Sequence, residues 1–172
     1  MNTKERTLVL LKPDAVQRNL VGEIVSRFER VGLKIVAMKL ALPTKEQAYT
    51  HYKINPNLPQ TILDHLARFL SASPVVAMIL EGNKAIPIVR KMIGSTEPLQ
   101  SIPGTIRGDF TIDSYDLADK DGRAVRNLVH ASSSAEDAEK EIKVWFKKDE
   151  MVNYKTAREK ILYDVNLDNI LE

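Results

Sequence analysis

The chain has 172 residues, 44% of them hydrophobic and 28% charged, which is ordinary for a globular protein and argues against disorder or fibrous repeats. Its 25 Lys and Arg residues against 23 Asp and Glu residues leave a formal net charge of +2, which excludes a strongly basic, polyanion-binding tail. The absence of cysteine excludes disulfides, thiolate metal sites and cysteine nucleophiles. The first apolar run is too short for a signal peptide or a membrane span, so we expect a cytoplasmic protein.

Apolar runs and helical spacing divide the chain into alternating strands and helices. The predicted strands cover residues 7–11, 33–42, 75–80 and 123–130. The predicted helices cover residues 21–31, 44–52, 62–70, 85–93 and 134–146. This pattern favours a single α/β domain over residues 1–172, with a polar tail beyond residue 154 that we expect to pack on a neighbouring chain. It leaves the direction of the strands open.

Polar residues at helix starts and breaker residues between elements refine this outline. Thr44, Asn83 and Ser133 are the expected capping residues, and a Gln or Glu three residues after the first and the last completes a capping box. Prolines and glycines predict a loop over residues 95–108.

His130 is one of three histidines and is the last residue of the fourth predicted strand, three residues before the expected cap at Ser133. Free N–H groups and the helix dipole favour an anion at such a position, so a phosphate on or beside His130 would be stabilised. The alternative interpretation is an ordinary, half-buried histidine at the end of a strand.

Glu141 lies on the same helical stripe as Ala138 and Trp145. A carboxylate near an apolar face needs a partner. His130 is one candidate, because a carboxylate can hold an imidazole in one tautomer, as an activated nucleophile requires. The alternative is a Glu at the edge of the stripe that pairs with a neighbouring lysine.

Lys12, Arg90 and Arg107 are cations from three separate segments. If they converge in a cleft, they suit a polyphosphate, whose developing charge must be stabilised during phosphoryl transfer. Each one alone is an ordinary surface charge. The chain has no P-loop or Rossmann glycine motif, and no zinc-binding cluster. The residues by themselves therefore predict a histidine-centred phosphate site.

Several segments resemble the nucleoside diphosphate kinase family, in the order in which that family has them. They are residues 6–18, 21–24, 103–110, 127–132 and 138–142. The likeness extends over residues 6–154 and is highly specific. It implies a ferredoxin-like βαββαβ fold of the α+β class, with a four-stranded antiparallel sheet flanked by helices.

The resemblance implies a phosphotransferase of nucleotide metabolism. The γ-phosphate of a nucleoside triphosphate, typically ATP, would pass to a nucleoside diphosphate such as GDP by a ping-pong route through a phosphohistidine. Mg²⁺ would bridge the nucleotide phosphates, with no protein residue as its ligand. A homo-hexamer or homo-tetramer is implied, and neither a membrane nor a nucleic acid is an expected partner.

The resemblance also implies roles for individual residues. His130 would be the nucleophile, attacking through Nδ1, while Glu141 accepts a hydrogen bond from the other ring nitrogen and is supported by Ser132. Lys12 and Tyr52 would lie beside the transferred phosphoryl group, and Lys12 would also reach the sugar. The residues that would hold the outer phosphates and, for the last of them, the ribose hydroxyl are Arg90, Thr96, Arg107 and Asn127.

Two segments depart from the family pattern. The family usually has an aromatic residue after Pro59 that stacks on the base, whereas Gln60 and Thr61 stand here. An apolar lid is expected instead, from Leu58, Ile62 or Leu63. An insertion over residues 112–124 lies near the other face of the base, where it would reshape nucleotide selection or an oligomer contact. From about residue 155 the chain also continues as a C-terminal extension.

Two other classes of function remain open from the sequence. A regulator that binds nucleotides or nucleic acid on the same fold would hold a nucleotide without exchanging phosphate, although the aromatic residues are scattered and form no RNA-binding stripe. A structural interaction domain would carry no phosphate on His130. The presence of every expected site residue favours the kinase.

Overall fold

Four strands form one antiparallel sheet within residues 4–163 and 166, which the computed structural model of the protein describes. The strands are β1 (Lys4–Leu11), β2 (Lys34–Ala41), β3 (Val75–Asn83) and β4 (Val129–Ala131). Their order in the sheet is β2-β3-β1-β4. β1 pairs with β3 along its whole length and with β4 only near its C-terminal end. The predicted ferredoxin-like topology with an antiparallel sheet is therefore confirmed.

Helices cover both faces of this sheet. The helices are α1 (Pro13–Gln17), α2 (Val21–Arg30), α3 (Lys45–Tyr52), α4 (Gln60–Leu70), α5 (Ala85–Ile93), α6 (Ile106–Phe110), α7 (Tyr115–Lys120), α8 (Ala135–Trp145) and α9 (Arg158–Tyr163). Two short 3-10 turns cover Pro98–Gln100 and Lys148–Glu150. Helices α2 and α5 pack on one face, and α3, α4 and α8 pack on the other.

The continuous apolar run in β1 serves two cores at once. Successive side chains of a strand point to opposite faces, so Val9 and Leu11 enter the core beneath α2 and α5, whereas Leu8 and Leu10 enter the core beneath α3, α4 and α8. All four side chains are fully buried, and each buried side chain of this size contributes about 1.5–3 kcal/mol. A strand buried on both faces needs no polar alternation, which explains its sequence.

β4 is much shorter than predicted. The sequence predicted a strand over residues 123–130, but pairing with β1 is confined to Val129–Ala131. The preceding residue, Leu128, has a φ of 66°, which is incompatible with an extended strand. Further upstream, the N–H of Arg126 donates to the carboxylate of Asp113 at 2.7 Å. The prediction was wrong because a left-handed residue and a loop contact interrupt the strand.

Helix caps were predicted correctly at one position out of three. The Thr44 hydroxyl accepts an N–H of α3 at 3.1 Å, as predicted. Asn83 cannot cap α5 because it still pairs within β3, and Lys84 occupies the N-cap with a φ of 48°. Ser134 caps α8, with its hydroxyl accepting an N–H at 3.0 Å, so the expected cap at Ser133 was wrong by one residue.

Segments expected to lack regular structure contain short helices. The predicted loop over residues 95–108 holds the first 3-10 turn and the beginning of α6. The insertion predicted over residues 112–124 holds α7. Within the described part of the chain, no helix combines the length and apolar character needed to cross a membrane.

The described part of the C-terminal extension packs on this chain's own sheet, and its expected contact with a neighbouring chain stays a prediction. Glu159 pairs with Lys34 of β2 at 3.1 Å, and the Tyr163 hydroxyl accepts the N–H of Asn83 at 3.2 Å. Residues 164, 165 and 167–172 of the predicted extension lie outside the described residues.

Candidate active site

A pocket of about 440 Å³ brings together nearly all the residues singled out in the sequence. It lies where the C-terminal end of β1 meets β4, with α3, α5, α6 and α8 around it. The expected site residues on its wall are Lys12, Tyr52, Arg90, Thr96, Arg107, Asn127, His130 and Glu141. Ser132 is fully buried and lies behind the wall. The three cations from separate segments therefore do converge.

A second groove is larger but has different chemistry. It has a volume of about 660 Å³ and lies between the N-terminal half of β1 and α8. Its described lining contains no histidine. If volume alone identified the active site, this groove would be the candidate. The smaller pocket is the better candidate because a histidine and several cations converge there.

Leu128 allows Asn127 and His130 to face the same pocket. Residues three apart on a regular strand point to opposite faces. Here the carbonyl of Asn127 accepts the N–H two residues later at 2.7 Å, which closes a γ-turn around Leu128. The N–H of Leu128 donates to the Asp14 carboxylate at 3.0 Å. A positive φ at a branched residue costs about 1–3 kcal/mol, and these bonds hold the turn against that strain.

His130 is held by a buried carboxylate. Its Nε2 lies 3.0 Å from Oε1 of Glu141, whose Oε2 accepts the Ser132 hydroxyl at 2.6 Å. Among the described residues no ion pair joins Glu141 to the alternative partners Lys140 and Lys143, and Lys140 donates to Glu136 at 2.6 Å. An ionised carboxylate only accepts hydrogen bonds, so the neutral His130 ring carries its proton on Nε2.

Because the proton of the neutral His130 ring is on Nε2, the lone pair of Nδ1 is available. Among the described residues, Nδ1 has no hydrogen-bond partner. The side chain is 20% exposed and lines the pocket. A nucleophilic nitrogen is therefore open to whatever the pocket holds.

Lys12 is a buried cation beside Asn127. Its Nζ donates to Oδ1 of Asn127 at 2.8 Å, and Nδ2 of Asn127 donates to the carbonyl of Thr96 at 2.7 Å. Loss of water and then the positive charge of Arg107 lower the pKa of Lys12 to about 8. Burial and charge repulsion make the protonated form of Lys12 unfavourable, so a negatively charged ligand that binds beside it stabilises that form.

Arg107 both organises the pocket and faces it. Its guanidinium makes four hydrogen bonds of 2.6 to 3.1 Å to backbone carbonyl groups. The accepting residues are Gly94, Ser95, Asn127 and Val129. Because a guanidinium has five N–H groups, one on Nη2 is left for a ligand. Burial and the nearby Arg90 lower the pKa of Arg107 to about 10.

Tyr52 presents an unused donor. Its hydroxyl is buried and has no hydrogen-bond partner within the described part of the chain. Burial raises the pKa of Tyr52 far above its ordinary value, so the hydroxyl keeps its proton. Unpaired buried polar groups are rare in folded proteins and mark sites where a ligand or water completes the bonding.

The apolar part of the wall contains one of the three residues expected for the lid. Leu58 lines the pocket as predicted, but Ile62 is 40% exposed outside it and Leu63 is buried in the core beneath the sheet. α4 turns these two side chains away from the pocket, so Leu58 is the one of the three alternatives that lines it. Wall residues that sequence reasoning missed are His51, Leu66, Val125 and Asp137. His51 shares the buried face of α3 with Ala48 and Tyr52, but this helix has little amphipathic character, so its spacing gave no signal for His51.

One group of side chains has the proximity of metal ligands. Within the described residues, single nitrogen or oxygen atoms of His51, His130 and Glu141 lie within 4.8 Å of one another. Mg²⁺ prefers an all-oxygen environment, and both oxygens of Glu141 are already bonded. This donor set therefore does not suit Mg²⁺.

The fold and the pocket define a class of site. A histidine with one nitrogen held by a carboxylate and the other free, at a pocket lined by cations, has the geometry of covalent phosphoryl transfer. Residues 5–151 match the family described as nucleoside diphosphate kinase. The chain belongs to the nucleoside diphosphate kinase family, and the predicted resemblance is confirmed.

Individual relatives support this family assignment. The chain is 49% identical over 158 residues to a nucleoside diphosphate kinase of Pyrococcus abyssi, an alignment that covers 92% of this chain and 94% of the relative. A Borrelia burgdorferi nucleoside-diphosphate kinase, solved as a transition state mimic with bound vanadate and ADP, matches with a TM-score of 0.89 and 42% identity over 92% of this chain and 96% of that chain. An NDP kinase from Pyrobaculum aerophilum matches with a TM-score of 0.80 and 40% identity over 87% and 100%.

Proposed function

We propose that this chain transfers the γ-phosphate of a nucleoside triphosphate to a nucleoside diphosphate through a phosphohistidine on Nδ1 of His130. The observation that carries the proposal is the 3.0 Å contact between Nε2 of His130 and Glu141, because it leaves the Nδ1 lone pair free at a cation-lined pocket. The relative described with bound vanadate and ADP supports the same chemistry.

The reaction balances without a separate proton transfer. The Nδ1 lone pair attacks the γ-phosphorus, the N–P bond forms, and the bond to the bridging oxygen breaks, so the nucleoside diphosphate leaves with that electron pair. The His130 ring then carries a positive charge, because Nε2 keeps its proton, and the Glu141 carboxylate stabilises it. A second nucleoside diphosphate attacks the phosphorus and restores the neutral ring. One pocket serves the donor and the acceptor in turn.

Other residues on the wall hold the nucleotide. Lys12 and Tyr52 donate to the transferred phosphoryl group, and Lys12 also reaches the sugar. Ser132 supports Glu141 through its 2.6 Å hydrogen bond. The residues assigned to the outer phosphates and, for the last, the ribose hydroxyl are Arg90, Thr96, Arg107 and Asn127. The free hydroxyl of Tyr52 and the remaining N–H of Arg107 support these roles.

Mg²⁺ is the proposed cofactor, and it arrives with the nucleotide phosphates. Bound there, it neutralises charge on the phosphate oxygens during transfer. None of this chain's residues is assigned as its ligand, because the one described cluster with suitable spacing is rich in nitrogen and already hydrogen-bonded.

A homo-hexamer or homo-tetramer in the cytoplasm is the proposed form. β2 is an edge strand, and Met38, Leu40 and Leu42 on or just after it are 45%, 68% and 67% exposed. Exposed apolar groups along a sheet edge are typical of an interface. Light scattering after size exclusion should give four or six times the chain mass of 19.4 kDa, and a monomer would contradict the proposal.

Incubation with γ-labelled ATP and Mg²⁺ tests the proposed chemistry. We expect a label on the protein that survives alkali, is lost in acid, is absent from His130→Ala and is released by GDP. Wild-type protein that binds nucleotide yet takes up no label would contradict the kinase and favour a nucleotide-binding regulator.

A further inference from the structure

His51 is a buried histidine that the proposed mechanism does not use. It lies in the last turn of α3, is 2% exposed and forms part of the pocket wall. Its ring centroid is 4.4 Å from that of His130, and the two ring planes meet at 84°. The two imidazoles are therefore in edge-to-face contact.

Trp145 determines which nitrogen of His51 carries the proton. The Trp145 Nε1–H lies 3.3 Å from Nδ1 of His51. An indole N–H can only donate, so Nδ1 accepts and the proton of the neutral ring is on Nε2. Burial, followed by the positive charges that His130 and Lys12 can carry, lowers the pKa of His51 well below its ordinary value. The ring is therefore neutral near pH 7.

The Nε2–H of His51 has no acceptor among the described residues. Buried donors are almost always paired, so an exception beside the nucleophile calls for a functional explanation. A ring edge packed against an aromatic face is a favourable arrangement, because the electropositive edge meets the negative face. The placement of His51 therefore makes sense as a contact with the ring of His130.

The hydrogen bond to Glu141 does not by itself determine the orientation of the His130 ring. It restrains Nε2 directly, but Nε2 lies closer than Nδ1 to the axis of the Cβ–Cγ bond, so a modest rotation about that bond displaces Nδ1 more than Nε2. Tyr52 also meets this ring edge-to-face, but at 6.3 Å between centroids. His51, at 4.4 Å, gives the closer restraint. The orientation matters because the Nδ1 lone pair must point at the phosphorus for attack.

We propose that His51 is a positioning residue, whose ring, anchored by Trp145, fixes the plane of the His130 imidazole so that Nδ1 stays directed into the pocket. Because it requires His130 to be the nucleophile, this role rests on the proposed function. In this role His51 acts through the ring of His130.

Two substitutions separate the ring of His51 from its hydrogen bond. His51→Phe keeps a flat ring against His130 but removes the acceptor for Trp145. His51→Asn keeps an acceptor oxygen near the position of Nδ1 but removes the ring. In single-turnover phosphorylation by ATP, we expect the rate to fall about 10- to 100-fold in His51→Asn and much less in His51→Phe. The KM for ATP should stay near the wild-type value in both.

His65 provides a matched control. It lies on α4, is partly exposed and is not part of the pocket wall, so His65→Asn and His65→Phe should phosphorylate at the wild-type rate. Thermal unfolding of each variant shows whether it is folded at the assay temperature. The wild-type protein gives a test that needs no variant: nitrogen NMR of labelled histidine should show His51 neutral and protonated on Nε2 near pH 7.

The results of these experiments distinguish failure of the positioning role from failure of the proposed kinase activity. A wild-type rate in His51→Asn, an equal loss in His51→Phe, or a change confined to KM would each overturn the positioning role while leaving the kinase intact. A His51 that NMR shows protonated on Nδ1, or charged near pH 7, would overturn it as well. Absence of label in the wild-type protein would overturn both proposals together.

Discussion

The two ends of the pocket are built in different ways. At the histidine end, side chains of regular elements bond to one another: His130 on β4 contacts Glu141 on α8, and Ser132 completes that carboxylate. At the nucleotide end, side chains bond mostly to loop backbone, as when Arg107 donates to three loop carbonyl groups besides that of Val129, and Asn127 donates to the carbonyl of Thr96. The geometry of the histidine end is set by a strand and a helix, whereas the geometry of the nucleotide end depends on the contacts that hold its loops.

Asp113 is the main tie between those loops. Its buried carboxylate accepts from two nitrogens of Arg123 at 2.7 and 2.9 Å and from the N–H of Arg126 at 2.7 Å. Its own carbonyl accepts the N–H of Leu99 at 3.2 Å. The residues that hold His130 and the residues that hold the nucleotide loops are therefore different. Substitutions at the histidine end should change the rate of phosphorylation, and substitutions at the nucleotide end should change nucleotide affinity.

The largest effect is expected at the histidine end. Glu141→Gln removes the charge that stabilises the phosphorylated ring but keeps the shape of the side chain. The rate of single-turnover phosphorylation by ATP should fall by about 100-fold or more, with little change in nucleotide affinity. Ser132→Ala, which leaves the charge in place, should lose much less. Equal losses in the two variants would show that the charge of Glu141 is not the important feature.

At the nucleotide end, Asp113→Asn should weaken binding more than chemistry. The ion pair with Arg123 is lost, because an amide cannot accept from two guanidinium nitrogens as a carboxylate does. We expect the Kd for ADP to rise about 10-fold, as for loss of about 1.4 kcal/mol, with phosphorylation at saturating ATP nearly unchanged. Asp121→Asn is the control, since Asp121 meets the same arginine at 3.0 Å but is largely exposed. A loss of rate with unchanged affinity would contradict the separation of the two ends.

Nucleotide affinity should also depend on pH through Lys12. Its pKa of about 8 lies below the ordinary value of 10.5, so the free protein begins to lose this cation as the pH rises through 8. Bound phosphate favours the protonated amine, so affinity should fall above that pH and stay nearly constant just below it. Calorimetric titration with ADP at a series of pH values should show this decline in the wild-type protein. The same decline in Lys12→Met would assign it to another group.

The smallest effect concerns the helix that carries Glu141. Ser134→Ala removes the N-cap of α8 and should lower the free energy of unfolding by about 1 kcal/mol, as measured by urea denaturation. Ser133→Ala should cost less, because its hydroxyl contacts the partly buried side chain of Asp137 and no backbone N–H of the helix. The reverse order would support the cap that the sequence alone predicted.

The sequence was sufficient for the family, and the resemblance to that family supplied the antiparallel sheet and most of the candidate site residues. The apolar run of β1 and the N-cap at Thr44 depend on neighbouring residues alone, so they could be recognised without the fold. The second half of the predicted capping box was wrong, because the Gln47 side chain donates to the carbonyl of Val144 at 3.2 Å. The resemblance named the residues that line the pocket, including Lys12, Arg107 and His130. Sequence motifs contain this information because the same residue types recur at the same spacing.

Only the tertiary structure decided the features that depend on residues distant in the chain. Leu128 adopts a left-handed conformation because Asp14, more than a hundred residues earlier, accepts its N–H. Among the three alternatives for the apolar lid, packing selected Leu58, because α4 turns Ile62 and Leu63 away from the pocket. The hydrogen bond from Trp145 determines which nitrogen of His51 carries the proton. Burial beside Arg107 lowers the pKa of Lys12. These properties arise from contacts and loss of water, which no local pattern records.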